Sequence, residues 1–244
     1  MTVTWEGLGW ERVAAGVGRV RLPGWDCTAG LVVGADAVLM IDAGSSLAEG
    51  ELLRGQAWEL TGRHVTHLAL THPHFDHVFG AAAFADTEVF GAAGVAAVLS
   101  FGTVEAQELR ADAVRNGLEE SAATAATAAL VRPRHLVSGE RTLDLGGGRQ
   151  VLLANVGPGH TAHDLAVLVP GSPPTVFCGD LVEESGEPQA GPDAVPAHWP
   201  AALDRLLALG GEDARYVPGH GAVVDAAFLR AQRDALSGRF GVSP

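Results

Sequence analysis

Thr71-His72-Pro73-His74-Phe75-Asp76-His77 packs three imidazoles and one carboxylate into six consecutive positions beginning at His72. The preceding run, Val65-Thr66-His67-Leu68-Ala69-Leu70, is short and apolar with β-branched members, the signature of a buried strand. Val78-Phe79-Gly80-Ala81-Ala82-Ala83-Phe84 reads as the start of a helix, so the stretch is a loop hung from a strand end, with Asp76 and His77 near a helix N-terminus. Pro73 fixes its own φ and biases His72 toward extended geometry. Alternating histidines project differently from adjacent ones, so the loop can serve two neighbouring ions, His72 and His74 one, Asp76 and His77 the other. Imidazole nitrogen with carboxylate oxygen suits zinc, with iron or manganese as competitors. A single histidine here would read as a surface or capping residue; H-x-H-x-D-H does not.

The 244 residues, 47% of them hydrophobic, suffice for one sizeable core, and a single domain over 1–244 is expected. A formal charge of −13 repels a phosphate backbone unless a local basic patch exists, and the sequence shows no such patch, so no nucleic-acid partner is expected. All 16 basic residues are arginine, which removes lysine Schiff-base chemistry and any lysine anchor for an anionic substrate. Cys27 and Cys178 lie far apart without a C-x-x-C pair and are expected to be reduced core thiols. The start of the chain has no basic segment followed by an apolar one, and no run is long enough to span a bilayer; a cytoplasmic protein is expected.

Upstream of the histidine loop, Val17 to Ile41 reads as a β-meander with a hairpin at Gly34-Ala35-Asp36, and a helix over Leu47 to Leu60 is capped by Ser45 or Ser46. Asp42, at a strand end, is as well suited to an ordinary turn as to supporting the metal loop. Downstream come a strand at Thr87–Phe90, a short helix at Ala93–Leu99 and a helical stretch from Val104 to about Leu130, whose Ala/Thr-rich end, Ala122 to Ala129, is a surface helix or a mobile lid. Strands return at Thr142–Leu145 and Val151–Val156, then a hairpin of Leu165–Val169 and Thr175–Cys178, a loop over Glu187–Pro196, a helix from His198 to Leu209, a brief strand at Tyr216-Val217 and a helix from Ala226 to Phe240. His160, Asp180 and His220 each follow a strand beside glycines that let the backbone approach closely. Strand-rich and helical stretches come twice, which predicts two sheets packed face to face with helices outside and the ligand loops along one edge.

With His72, His74, Asp76, His77, His160, Asp180 and His220 in this order, the chain resembles the metallo-β-lactamase-fold hydrolase superfamily, from Asp42-Ala43-Gly44 to Pro218-Gly219-His220-Gly221. The resemblance implies an α/β (α+β) fold, a four-layered αβ/βα sandwich with a dinuclear site at the sheet edge. It also implies two zinc ions, iron or manganese being alternatives: His72, His74 and His160 for the first, Asp76, His77 and His220 for the second, and Asp180 bridging. Two cations sharing a water lower its pKa toward neutrality and present hydroxide to a carbonyl, with Asp76 as the catalytic acid/base.

Departures from better-defined subfamilies narrow the expectation. The lactamases of this fold usually carry Cys or Ser in place of Asp180 and are exported. Glyoxalase II, close in ligands, has a helical C-terminal region and basic residues for glutathione, whereas 24 residues follow His220 here. Nucleic-acid-processing members carry extra domains or arms, and flavodiiron proteins have glutamate where this chain has His74. Quorum-signal lactonases place a tyrosine shortly after the bridging aspartate, but Leu181-Val182-Glu183-Glu184 stands here and the only tyrosine is Tyr216. The expected function is a dinuclear zinc hydrolase of an ester, thioester or lactone, with a lactam at the margin. The alternatives are a persulfide dioxygenase-like oxidoreductase with one iron on His72, His160 and Asp180, or a true β-lactamase. The expected partner is a small-molecule substrate, without membrane, and a homodimer is allowed. His64, His67, His135 and His198 are expected at the surface or strand ends. His163 and Asp164 are expected either to orient His160 or to serve a turn, and Trp25, Phe75, Phe79 and Trp199 to line the pocket or fill the core.

Overall fold

The apolar runs become two sheets in a computed structural model that describes residues 4–242. The first holds β1 (Glu11–Ala14), β2 (Val17–Arg21), β3 (Thr28–Val33), β4 (Val38–Ile41), β5 (His67–Ala69), β6 (Glu88–Ala92) and β7 (His135–Val137) in that spatial order. Its pairings are antiparallel from β1 to β4 and parallel from β4 to β7. The second sheet runs β12 (Arg215–His220), β11 (Thr175–Glu183), β10 (Leu165–Val169), β9 (Gln150–Asn155), β8 (Glu140–Asp144), with only β11 and β12 parallel. The helices are α1 (Leu47–Thr61), α2 (Phe75–Val78), α3 (Val95–Val98), α4 (Val104–Arg115), α5 (Glu120–Ala128), α6 (Trp199–Gly210) and α7 (Ala226–Phe240).

Period-two alternation stacks the layers. In β4, Val38 and Met40 point into a core shared with Leu53 and Ala57 of α1, while Leu39 and Ile41 point into the core between the sheets. In β11, Phe177 joins that central core, whereas Val176 and Cys178 pack with Leu203 and Leu206 of α6 and Leu229 of α7. Strands buried on both faces need apolar residues at every position, which is why they read as continuous runs. Three cores therefore separate helices, sheet, sheet and helices, the four-layered αβ/βα sandwich expected from the sequence.

Several local expectations need correction. Strands β1 and β7 were not anticipated; both are short strands at the edges of the first sheet. The helical stretch from Val104 is two helices, and α5 buries Ala123, Ala126 and Thr127 against the first core, so the Ala/Thr-rich end is packed structure rather than a lid. The helix after the histidine loop begins at Phe75, before Val78, so Asp76 and His77 lie within its first turn. Helix α1 is capped by Ser46, whose side chain accepts the Glu49 N–H. Cys27 and Cys178 are free and buried. Among the described residues no helix is long and apolar enough to cross a membrane.

The sheets meet most closely where Gly30 of β3 faces Phe177: a Cβ there would lie 2.5 Å from the ring. Gly30→Ala is expected to lower unfolding free energy by about 1–3 kcal/mol through overpacking, read from the midpoint of a urea titration. An unchanged midpoint would mean that the sheets are not in this register.

Candidate metal centre

The two sheets deliver chemistry to one edge. His72 follows β5, His160 follows β9 and His220 is the last residue of β12, while α2 supplies Asp76 and His77. Asp180 does not follow a strand as expected; it lies inside β11, where the register against β12 shifts at Gly179 and again before Glu183. Gly179 has φ +54, a conformation that glycine adopts at no steric cost, and the irregularity turns Asp180 toward the histidines. On β12, a Cβ on Gly219 would come within 1.8 Å of Asp180 Oδ1, so only glycine leaves room for that carboxylate.

Each of the five imidazoles has one nitrogen fixed by a group outside the cluster. His72 Nδ1 meets Thr71 Oγ1 at 3.0 Å, His77 Nδ1 meets Asp42 Oδ2 at 2.9 Å, and His74 Nε2 meets Asp193 Oδ2 at 3.0 Å. His160 Nδ1 donates to the Gln189 carbonyl at 3.1 Å and His220 Nδ1 to the Trp25 carbonyl at 2.8 Å. The other nitrogen of every ring turns inward, the arrangement in which outer partners set tautomer and orientation for a ligand. Asp180 sits at the centre, its carboxylate oxygens 3.1 Å from His77, 3.3 Å from His220, 3.5 Å from His160 and 3.6 Å from His72.

Two groups result. His72, His74, His160 and Asp180 form one, and Asp76, His77, His220 and Asp180 the other, each with one donor atom per residue and all those atoms within 4.8 Å of one another. All seven residues singled out from the sequence are thus brought together. His72 Nε2 and Asp180 Oδ1 are buried with no hydrogen-bond partner; His77 Nε2 lies near the latter but out of line. Orphaned polar atoms of this kind are costly unless something else engages them. Nitrogen and carboxylate donors converging on two buried atoms of unmet valence fit a divalent cation.

Burial and the positive charge of His74 push His160 down to about 4, and burial holds His72 well below the usual histidine range. The second group is opposite. Burial disfavours charge on His220, but Asp180 and Asp76 outweigh it and push its pKa up to about 12. His77 is likewise held well above the ordinary value; Cys27 and the Asp180, Asp76 and Asp42 carboxylates surround it. The carboxylates supply this effect, because burial pushes the Cys27 thiol up to about 12 and leaves it neutral. Asp76 and Asp180 are both held below the usual carboxylate range despite burial, by His77 and His220.

Sequence reasoning left Asp42 open and missed several supports. Asp42 accepts the Thr71 N–H at 2.8 Å and the Thr71 hydroxyl at 2.8 Å besides His77, from a left-handed backbone conformation with φ +58. That conformation is uncommon outside glycine, and Asp and Asn tolerate it best. Asp193, from the loop before α6, and Cys27, whose Sγ donates to the Asp76 carbonyl at 2.9 Å, were not anticipated. Asp164 holds the turn after His160 through the Thr161 N–H and hydroxyl, and burial pushes its pKa up to about 7. His163 donates through Nδ1 to the Ala93 carbonyl at 2.9 Å and stands outside the cluster. Trp25 and Phe75 line the adjoining cavity; Phe79 and Trp199 are core, the latter edge-on to His160. His64 lies against Trp58, His67 against Phe90, and His135 pairs with Glu88; neither they nor His198 reach the site. The cavity beside the cluster has a volume of about 640 Å³.

The family described as "Metallo-beta-lactamase superfamily" matches this chain over residues 22–220, which includes every residue of the cluster. The chain belongs to the metallo-beta-lactamase superfamily. Its fold is similar to that of a metallo-beta-lactamase from Pontibacter korlensis, at TM-score 0.69 and 21% identity over 93% of this chain and 98% of that one. It is also similar to FIM-1 from Pseudomonas aeruginosa, solved in a mono-zinc form, at TM-score 0.67 and 19% identity over 96% of each chain. The metallo-beta-lactamase from Hirschia baltica aligns at TM-score 0.66 and 15% identity over 93% of this chain and 96% of that one. These identities establish the fold and leave activity open. Comparison with curated proteins returned no match.

Asp42→Asn removes the charge behind His77 while keeping a residue that tolerates the left-handed backbone. It is expected to weaken zinc binding about 10–100-fold, measured by competition with a chromophoric chelator, with the far-UV spectrum unchanged. In metal-free protein the folded state resists the proton that an unfolded histidine takes up below 6.5, because His160 has moved down to about 4. Relative to a His160→Gln variant, which lacks this titration, the parent is therefore expected to lose stability as pH drops from 6.5 toward 4, followed by thermal unfolding of both proteins; a difference that stays constant or moves the other way over this range would contradict the burial of His160.

Proposed function

We propose that this protein is a dinuclear zinc-dependent hydrolase of a carbonyl substrate, an ester, thioester or lactone, with the lactam carbonyl as the remaining member of the class. The observation that carries the reading is Asp180, placed within 3.6 Å of histidines from both donor groups. His72, His74 and His160 would hold one ion and Asp76, His77 and His220 the second, with Asp180 common to both. A pair of divalent ions supplies Lewis acidity, lowering the pKa of water and polarising the attacked oxygen. Zinc is favoured by the nitrogen-rich donor set, and a superfamily relative, FIM-1, was solved with zinc.

The chain's own residues carry the rest. Asp76 borders the cavity with its Oδ2 3.2 Å from His220 Nε2; its lowered pKa keeps it ionised, and from there it would take a proton from a water that the ions would make more acidic. The same carboxyl then delivers that proton to the leaving oxygen or sulfur as the acyl bond breaks, so water is added across the bond without net change at Asp76. Thr71, Asp42, Asp193 and the carbonyls of Gln189 and Trp25 hold the imidazoles in place, so that little reorganisation accompanies each turnover.

Zinc-reconstituted protein is expected to contain about two ions per chain, to hydrolyse at least one ester, thioester or lactone of a chromogenic panel, and to lose that activity on chelation. Asp76→Asn should lower kcat by about 10²–10⁴-fold. Carefully prepared protein that takes up no zinc, or a variant as active as the parent, would refute the reading.

A further inference from the structure

One carboxylate in the wall of the cavity beside the cluster holds none of the donor positions. Glu183 is the last residue of β11, three positions after Asp180, and pairs in register with His220 at the end of β12. It lines the cavity that Asp76, Asp180 and His220 also border, yet it is only 9% exposed. Among the described residues it forms no ion pair, and its carboxylate accepts one hydrogen bond, from the Ser185 hydroxyl to Oε1 at 2.8 Å. Oε2 accepts from no protein group and is not sealed in the interior, so it opens on the cavity.

A buried carboxylate costs free energy unless donors or a cation offset its lost hydration. One placed for structure would meet backbone amides, as Asp164 meets the Thr161 N–H, or an arginine. The Glu183 side chain meets neither, although its backbone is pinned from the helix side. Its N–H donates to Gln232 Oε1 of α7 at 3.1 Å, and Gln232 Nε2 donates at 2.7 Å to the Leu181 carbonyl, which also accepts the Trp199 indole N–H at 3.0 Å. Oε2 is therefore a fixed acceptor left for a ligand. Burial and Asp180 push the carboxyl up to about 7, and in either protonation state an acceptor oxygen remains. The donor that fits is uncharged, because the divalent ions of the proposed function would stand beside it and repel an ammonium.

We propose that Glu183 is a specificity-determining residue: its Oε2 accepts a hydrogen bond from a substrate hydroxyl a few bonds from the carbonyl, and substrates with a methyl ether or a bare carbon chain there are disfavoured. The cleaved bond rests on the hydrolase reading above; recognition of the hydroxyl does not. The donor cluster handles the carbonyl, while Glu183 selects what flanks it.

The test uses the full-length zinc-reconstituted protein and butanoates that are hydroxylated, methoxylated or unsubstituted at carbon 2 or carbon 3. The free acids report binding by isothermal titration, and the γ-butyrolactones and thioesters bearing the same substituents report kcat/KM. At one of the two positions the hydroxy acid is expected to bind on the order of tenfold more tightly than its methyl ether and its unsubstituted parent, with kcat/KM ranking the same way. The preference should shrink to about twofold or less in Glu183→Leu and be partly kept in Glu183→Gln, which retains an acceptor oxygen. Each ratio compares two molecules on the same protein, so loss of folded or zinc-loaded material cancels from it. Hydroxy acids bound no tighter than their methyl ethers at either position, or a preference that survives Glu183→Leu because the ions alone supply it, overturns the proposal. A binding preference that Glu183→Leu abolishes, with no lactone or thioester hydrolysed, would leave the Glu183 assignment standing and refute the hydrolase reading. Hydrolysis at equal kcat/KM across the substituents would do the reverse.

Discussion

An imidazole nitrogen and a carboxylate oxygen buried without partners, His72 Nε2 and Asp180 Oδ1, are the constraint around which the structure is arranged. Stripping water from such atoms costs free energy, and a protein that merely needed a core would have placed apolar side chains there. Here the opposite has happened. Two sheets packed through Leu39, Ile41, Phe177 and their neighbours bring five imidazoles and two carboxylates to one edge, and an outer ring of hydrogen bonds prevents them from turning elsewhere. The outer ring reaches across the fold: Trp25 precedes β3, Asp42 follows β4, and Gln189 and Asp193 come from the loop before α6.

The two donor groups differ in what they offer a cation. In the first group His72 and His160 are held neutral by burial and present lone pairs directly, whereas His74, despite burial, is held above the ordinary histidine range by the Asp193 carboxylate. His77 and His220 sit among carboxylates that hold them protonated, so a cation entering their group must displace protons. A cation binding the second group would accordingly release more protons than one binding the first. Asp180 belongs to both groups.

Much of this was legible in the chain because the signals were local. His72 to His77 lie within one loop and the first turn of α2, and the runs at Val38–Ile41 and Leu165–Val169 announce buried strands by composition alone. His160, Asp180 and His220 were marked by glycines beside strands. What was hidden depends on contacts made at long range. Asp180 was expected after a strand, but β11 continues to Glu183 through an irregularity that only the pairing with β12 defines. Asp193 lies in a loop without periodicity and meets His74 across 119 positions, and the Trp25 and Gln189 carbonyls carry no side-chain signal at all. Strand β7 was missed because three residues at a sheet edge are too few to show alternation.

The central claim is that both donor groups close on cations at once, sharing Asp180. Anomalous diffraction at the zinc edge from crystals grown with zinc tests it most directly. Two peaks are expected, one enclosed by His72, His74 and His160 and one by Asp76, His77 and His220, with Asp180 beside both. Peaks elsewhere, or His160 and His220 turned away from the His72 loop, would contradict it.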